Sequence, residues 1–499
     1  MHVKSKRLNL LFILTLFFSF SLFAQEQPAD KPDVLFIAID DLNDWVGVMG
    51  GNSQIKTPNI DELASRGMLF TNAHTPAAAC LPTRTAILSG MSPFSSGVYT
   101  QLGDWRNNPT FDGKATIPSF FRQNDYLTLG AGKLFHAHTY GLVGYTGQND
   151  PNGWDAYFPS IDRSLPDEVV PAPGQTPGPA VGNGMSTGHF DFFPTVTTDD
   201  AMGDGQVTSW VIDQIEAAST GPRFIAAGLF RPHLPWYAPQ KYFDMYPVED
   251  IELPPYLESD LDDVPRAYEE LIGAEPDLAV GTTMEWVLER GTRKWQEAIQ
   301  GYMASISFTD AMVGRLLDAL DESGRADNTI IVLWSDHGFH LGEKNVWGKM
   351  TFWEETTRVP FIIVAPGVTT PGSVSDEVVS TLSVYATLAE LAGLDLPEHV
   401  DGSSLVPLLR DPDRTWDDVA ITTYGDYGNF SVRGDRFRYS IYANGEEELY
   451  DLESDPNEWV NLADDSNYQA IKASLVGRIP PIDEHAPPVR GIDELQQRR

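Results

Sequence analysis

Short, largely apolar runs recur along most of the chain. Asp33 to Ile39 reads Asp-Val-Leu-Phe-Ile-Ala-Ile, with no polar position after the first. A strand that is apolar throughout is buried on both faces, as in a parallel sheet, whereas a strand with one wet face alternates. Similar runs predict strands over Met68–Asn72, Tyr126–Ala131, Arg223–Phe230, Thr329–Trp334 and Phe361–Ala365. Between them, Thr57-Pro58 opens a helix that stops near Gly67, and Thr85 to Gly90 starts a second. Ile299, Met303, Ile306, Met312, Leu316 and Leu320 fall at helical spacing from Lys294 to Gly324, and Leu382–Ala392 is a further helix. Strand–helix alternation to about residue 410 implies an α/β fold. Ligands of such sheets gather at the carboxyl ends of strands. Asp40-Asp41, Ser335-Asp336-His337-Gly338 and two histidine-bearing loops stand there.

The rhythm changes near the end. Asn429 to Tyr442 alternates around Gly434-Asp435, and Asn444-Gly445 is a hairpin turn before Glu448–Leu452. A small antiparallel sheet with a helix near Tyr468–Ile479 is expected, which divides the chain into 25–415 and a C-terminal α+β subdomain, 416–499. Pro159–Gly188 and Leu253–Tyr268 are rich in turn formers and read as surface loops over the ligand edge. At the start, a basic segment, Met1 to Arg7, precedes the apolar Leu8–Phe23 and Ala24-Gln25. This is the pattern of a signal peptide over 1–24, which places the mature chain in a periplasm or outside the cell, with no membrane attachment after cleavage.

Charge and cysteine content narrow the function. Lys and Arg total 34 against 71 Asp and Glu, a formal net charge of -37, which argues against nucleic acid as a partner. Any anion must bind in a local basic pocket. The 499 residues hold one cysteine, so no internal disulfide forms, and the 42% of hydrophobic residues must build the core.

That cysteine lies in Ala79-Cys80-Leu81-Pro82-Thr83-Arg84. On composition alone Cys80 is either a small buried hydrophobe or a reactive thiol. Asp40-Asp41 and Asp336-His337 end two buried strands, and convergent carboxylates repel unless a cation sits between them. Oxygen donors favour calcium or magnesium, while the imidazole also suits zinc or manganese. Three further clusters carry cations: Gly132-Lys133-Leu134-Phe135-His136, Arg231-Pro232-His233-Leu234-Pro235-Trp236, and Trp347-Gly348-Lys349 with Lys344 nearby.

The run Cys-x-Pro-x-Arg followed by Thr-Ala-Ile-Leu-Ser-Gly resembles the signature of the formylglycine-dependent sulfatases. Asp336-His337, Tyr99–Arg106 and Ile117–Phe121 are similar to the iduronate-2-sulfatase-like branch, and Glu448–Leu452 with Asp455–Glu458 to the family's C-terminal subdomain. The resemblance implies an alkaline-phosphatase-like fold, a sandwich with a large mixed, mostly parallel sheet between helices, and oxidation of Cys80 to formylglycine by a maturation enzyme. It implies one calcium ion held by Asp40, Asp41, Asp336, His337 and the modified Cys80. Arg84, Lys133 and Lys349 would hold the sulfate oxygens, Lys349 fitting better than Lys344 by its spacing from Asp336. His136 would be the base for the hydrated aldehyde and His233 the acid for the leaving alcohol. The substrate it suggests is a sulfated carbohydrate, a 2-O-sulfated uronate or an ulvan or carrageenan fragment, with Trp105 and Trp236 stacking on sugar and Arg106 meeting a carboxylate. Two rivals are a phosphonate or phosphate monoester hydrolase using the same aldehyde, and a non-catalytic relative that binds sulfated glycans.

Overall fold

A computed structural model describes residues 31–139, 145–168, 190–273, 280–425, 427–481 and 484–488. The signal-peptide reading over 1–24 and most of the Pro159–Gly188 loop lie outside the described residues. Among the described residues no helix is long and apolar enough to cross a membrane.

Eight strands form the main sheet. They are β1 (Asp33–Ile39), β2 (Met68–Phe70), β3 (Leu127–Gly132), β4 (Ala156–Phe158), β5 (Arg223–Leu229), β6 (Thr329–Ser335), β7 (Phe361–Val364) and β8 (Ser373–Ser375). Their order is β8-β2-β7-β6-β1-β5-β3-β4. Only β7 runs against its neighbours, so the sheet is mixed and mostly parallel.

All of β1 is buried, and its alternate residues enter two cores. Leu35, Ile37 and Ile39 join Val207 and Val211 of α3 (Gly203–Glu216) and Ile299, Met303 and Ile306 of α4 (Thr292–Glu322). Val34, Phe36 and Ala38 join Ile87 and Leu88 of α2 (Cys80–Ser89) and Leu388 of α5 (Val384–Leu391). Helix α1 (Pro58–Arg66) contributes Ile60 and Leu63 to the first core. Each fully buried branched aliphatic side chain contributes about 2 kcal/mol through the area it removes from water. The two cores make the layered sandwich that the apolar strands predict.

The last strands, β9 (Ala420–Thr423), β10 (Phe430–Arg433), β11 (Phe437–Ile441) and β12 (Glu447–Asp451), form an antiparallel meander with α6 (Gln469–Val476) against it. Gly445 takes φ 86°, the left-handed turn conformation its Asn-Gly context predicts. β9 also touches the segment leading into Cys80. The Thr423 amide donates to Pro76 O (3.1 Å), the Ala78 amide to Thr423 O (3.3 Å), and Thr422 Oγ1 to Thr75 O (2.6 Å).

Candidate active site

Four adjacent parallel strands, β6-β1-β5-β3, end on one edge, and the chain leaving each delivers part of the site. Asp40 and Asp41 follow β1, Lys133 and His136 follow β3, His233 follows β5, and Asp336 and His337 follow β6. Asp41 sits at φ 60°, a left-handed conformation in which Asp is one of the better-tolerated residues. Tyr302 of α4 holds that turn: its hydroxyl donates to Asp41 O (2.7 Å) and accepts from the Asn43 amide (3.0 Å). The β1 and β6 turns are also tied to each other. The Asp41 amide donates to Asp336 Oδ1 (3.1 Å), and Ser335 Oγ accepts from the Leu42 amide (3.1 Å) while donating to His337 O (3.0 Å).

Cys80 is the first residue of α2 and is fully buried. The helix begins earlier than Thr85, because Pro82 falls in the first turn, where no intrahelical N–H is needed. The Leu81 amide at this helix start is satisfied by Gln101 Oε1 (2.7 Å). Around Sγ stand Lys349 Nζ at 3.0 Å and His337 Nε2 at 3.2 Å, and His136 also hydrogen-bonds to the sulfur. Burial alone would raise the thiol pKa, but Lys133, Lys349, His337 and the His136 hydrogen bond draw it well below its ordinary value.

The other cations are locked on the carboxylates. Arg84 is completely buried; its Nε donates to Asp336 Oδ2 (2.7 Å), and Nη1 donates to Leu134 O (3.0 Å) and to Lys133 O. Lys133 pairs with Asp40, and Lys349 with Asp41 Oδ1 at 2.6 Å. Burial works to raise the Asp40 pKa, yet Lys133 and Arg84 hold it below the usual carboxylate range. Asp336 is pushed up to about 7, by burial first and by Asp40 beside it, against the pull of Arg84. Burial opposes the charged form of His337, and Asp336 outweighs it, raising that pKa to about 9.

The donor set fits a cation. Ligand atoms of Asp40, Asp41, Cys80 and His337 all lie within 4.8 Å of one another. Asp40 Oδ1 is buried without a hydrogen bond, although Arg84 Nη2 is 3.2 Å away. His337 Nδ1 donates to Gly338 O (3.0 Å), which directs Nε2 at the cluster, as a ligating imidazole requires. Asp336 Oδ2 stands 3.7 Å from that Nε2. His233 Nε2 is 4.0 Å from Asp41 Oδ2, with Nδ1 donating to Leu234 O (2.6 Å).

All ten residues expected to carry chemistry or metal therefore converge: Asp40, Asp41, Cys80, Arg84, Lys133, His136, His233, Asp336, His337 and Lys349. The three expected sugar contacts are already engaged by other partners. Trp236 has no exposed surface, donates Nε1–H to Pro232 O (2.6 Å) and packs on Tyr302, Phe339 and Trp347, so it is a core residue rather than a stacking platform. Trp105 is 6% exposed and stacked on Phe135, with Nε1–H donated to Gln148 O (2.8 Å). Arg106 is gripped by Asp104, with Nη2 on Oδ2 at 2.6 Å and Nε on Oδ1 at 2.9 Å, so its guanidinium already has a carboxylate. Tyr302 and Gln101 carry no such expectation, and nothing local reveals Tyr302, whose partner lies 261 positions away in sequence.

A buried, cation-ringed cysteine stands beside a carboxylate–imidazole cluster at the carboxyl edge of an alkaline-phosphatase-like sheet, and the chain is a hydrolase of sulfuric esters. Residues 32–394 match the family model described as Sulfatase, and residues 342–484 the one described as N-sulphoglucosamine sulphohydrolase, C-terminal. The chain belongs to the sulfatase family. It is 38% identical over 470 residues to a protein named sulfatase from Formosa agariphila, covering 90% of this chain and 87% of that one. It is 32% identical over 401 residues to iduronate 2-sulfatase of Homo sapiens, covering 74% and 70%. The solved phosphonate monoester hydrolase of Agrobacterium radiobacter superposes with a TM-score of 0.70 at 21% identity, covering 90% and 94%, a likeness of fold alone.

Proposed function

We propose that the chain is an exported sulfatase that removes sulfate from a carbohydrate, with Cys80 converted to formylglycine by a maturation enzyme. In this reading one calcium ion is held by Asp40, Asp41, Asp336, His337 and the modified Cys80, within a catalytic part 25–415 completed by the subdomain 416–499. The observation that carries it is the meeting of Cys80, Lys349 Nζ and His337 Nε2 within 3.2 Å, on top of the Asp40–Asp41 pair. Hydrated formylglycine would supply one hydroxyl to attack sulfur and a second whose deprotonation releases sulfate, and the cation would ease ionisation of the first. Lys349 and Lys133 would hold sulfuryl oxygens as charge shifts toward them. Arg84, paired with Asp336 and Asp40, holds those carboxylates in place. His136, hydrogen-bonded at Cys80, is the base for the second hydroxyl, and His233 presents Nε2 to the leaving oxygen as general acid.

The human relative is named for a 2-sulfated iduronate, which supports a sulfated uronate as substrate. Sulfate release by matured enzyme, with Cys80 conversion confirmed first, tests this on 2-O-sulfated uronate, ulvan and carrageenan oligosaccharides. Release from the uronates is expected; release from carrageenan alone would sink the uronate reading, and none from any would sink the carbohydrate reading. A phosphonate monoester presents a similar tetrahedral anion, and the shared fold favours it as the second reading. Matched aryl sulfate and aryl phosphonate separate the two, with faster sulfate turnover expected.

A further inference from the structure

Asp204 is missing from every expectation drawn from the sequence, yet both its carboxylate oxygens are aimed at the backbone that launches His233. It stands in the first turn of α3 and is 2% exposed. An acidic residue there gains from the helix dipole while staying in water, so the dipole gives no reason for burial. Burying a carboxylate costs several kcal/mol unless hydrogen bonds replace its hydration. Here Oδ1 accepts from the Phe230 amide (2.7 Å) and Oδ2 from the Arg231 amide (2.8 Å), two charge-assisted bonds across 26 and 27 positions of sequence.

What those amides hold is the mount of His233. The His233 amide donates to Phe230 O (2.9 Å), and the Phe230 ring lies 4.7 Å, centroid to centroid, from the imidazole. Nδ1 donates to Leu234 O (2.6 Å), so the ring is fixed at one nitrogen and faces Asp41 with the other. Thr309 Oγ1 of α4 donates to Arg231 O (2.8 Å), and Arg231 pairs with Glu168 (2.6 Å). The backbone at Phe230–Arg231 is thus held by hydrogen bonds from both α3 and α4.

We propose that Asp204 is a positioning residue for His233: by fixing the Phe230–Arg231 backbone it sets the imidazole where it can protonate the leaving oxygen. This rests on the reading of His233 as the general acid. A role confined to stability would slow every ester alike, whereas a misplaced acid slows most the esters whose leaving group most needs a proton.

The test is kcat/KM of matured enzyme on aryl sulfates running from 4-nitrophenyl to unsubstituted phenyl. Asp204→Asn keeps the shape but turns one acceptor into a donor facing an amide. Its loss is expected to grow along the series, the phenyl ester falling about tenfold further than the nitrophenyl ester, with metal content unaltered. His233→Ala should steepen the series more, and adding Asp204→Asn to it should steepen it no further. Uniform loss in Asp204→Asn beside a steepened His233→Ala overturns the Asp204 proposal alone. Uniform loss in His233→Ala overturns the general-acid reading beneath it. Should Asp204→Asn fail to fold, Thr309→Val, which loosens the same backbone from α4, is expected to steepen the series in the same direction, and a parallel loss there overturns the proposal.

Discussion

Two lysines close in sequence do opposite work. Lys349 reaches Asp41 Oδ1 (2.6 Å) and Cys80 Sγ (3.0 Å). Lys344, at φ 56°, turns away to Asp260 Oδ1 (2.8 Å) and Glu458 O, with the rings of Trp353 and Tyr450 at 5.1 and 4.9 Å. Lys349→Met is therefore expected to cut kcat/KM on 4-nitrophenyl sulfate by about a hundredfold or more, the loss of one oriented cation at the reacting group. Lys344→Met should cost about 3–5 kcal/mol of stability by stranding buried Asp260, read as a lower urea midpoint. If the stability loss fell on Lys349→Met and the rate loss on Lys344→Met, the assignment would be reversed. Spacing from Asp336 singles out the lysine that reaches Cys80, because a short strand-to-turn distance limits what can return to that edge. Trp236 was misjudged for the converse reason. Its neighbours Tyr302, Phe339 and Trp347 come from distant segments, and an aromatic residue beside a catalytic loop looks the same in sequence whichever way it faces.

Between β3 and β5 the site depends on two backbones approaching where no side chain fits. Gly132 takes φ 78°, and a Cβ there would lie 2.0 Å from Gly228 O; a Cβ on Gly228 would lie 2.3 Å from the Lys133 carbonyl carbon. The Lys133 amide donates to Gly228 O (2.9 Å), so this contact aims Lys133 at Asp40. Gly228→Ala should push the strand ends apart and misplace Lys133, lowering kcat/KM at least about tenfold and stability by about 1–3 kcal/mol, as overpacking does. Wild-type kinetics with an intact melting temperature would show that the contact carries no such load. The strands themselves were legible because an apolar run buried on two faces has few other readings. The start of α2 was not, since proline reads as a helix breaker unless its place within the first turn is known. That error concealed that Cys80 sits at the amino end of the helix, where a thiolate is favoured.

At the scale of the whole molecule, the C-terminal meander is joined to the main sheet by a buried charged network. Glu354 accepts from Arg433 Nε of β10 (2.8 Å) and from Arg438 of β11, and Arg438 Nη2 also donates to Thr357 Oγ1 (3.0 Å). Thr357 lies 3.3 Å from Nδ1 of His74, whose Nε2–H is donated to Asn72 Oδ1 (2.8 Å). His74 is fully buried, and its pKa is driven well below 6.5, by desolvation first; Glu354 opposes this while Arg433, Arg438 and Arg358 reinforce it. A histidine with a depressed folded-state pKa takes up its proton in the unfolded chain first. Its contribution is therefore fully present above pH 6.5 and lost as pH falls below that value, at a slope approaching about 1.4 kcal/mol per pH unit. Buried carboxylates with raised pKa values, such as Asp310 at about 6, act in the opposite sense over the same range, so the total curve does not isolate His74. The difference between wild type and His74→Gln does: denaturant midpoints measured from pH 7.5 to pH 5 should converge as pH falls, the variant being the less pH-sensitive by about one proton. Parallel curves would mean that His74 binds its proton equally in the folded and unfolded chain, and diverging curves that it stands as an imidazolium among the arginines that hold the two sheets together.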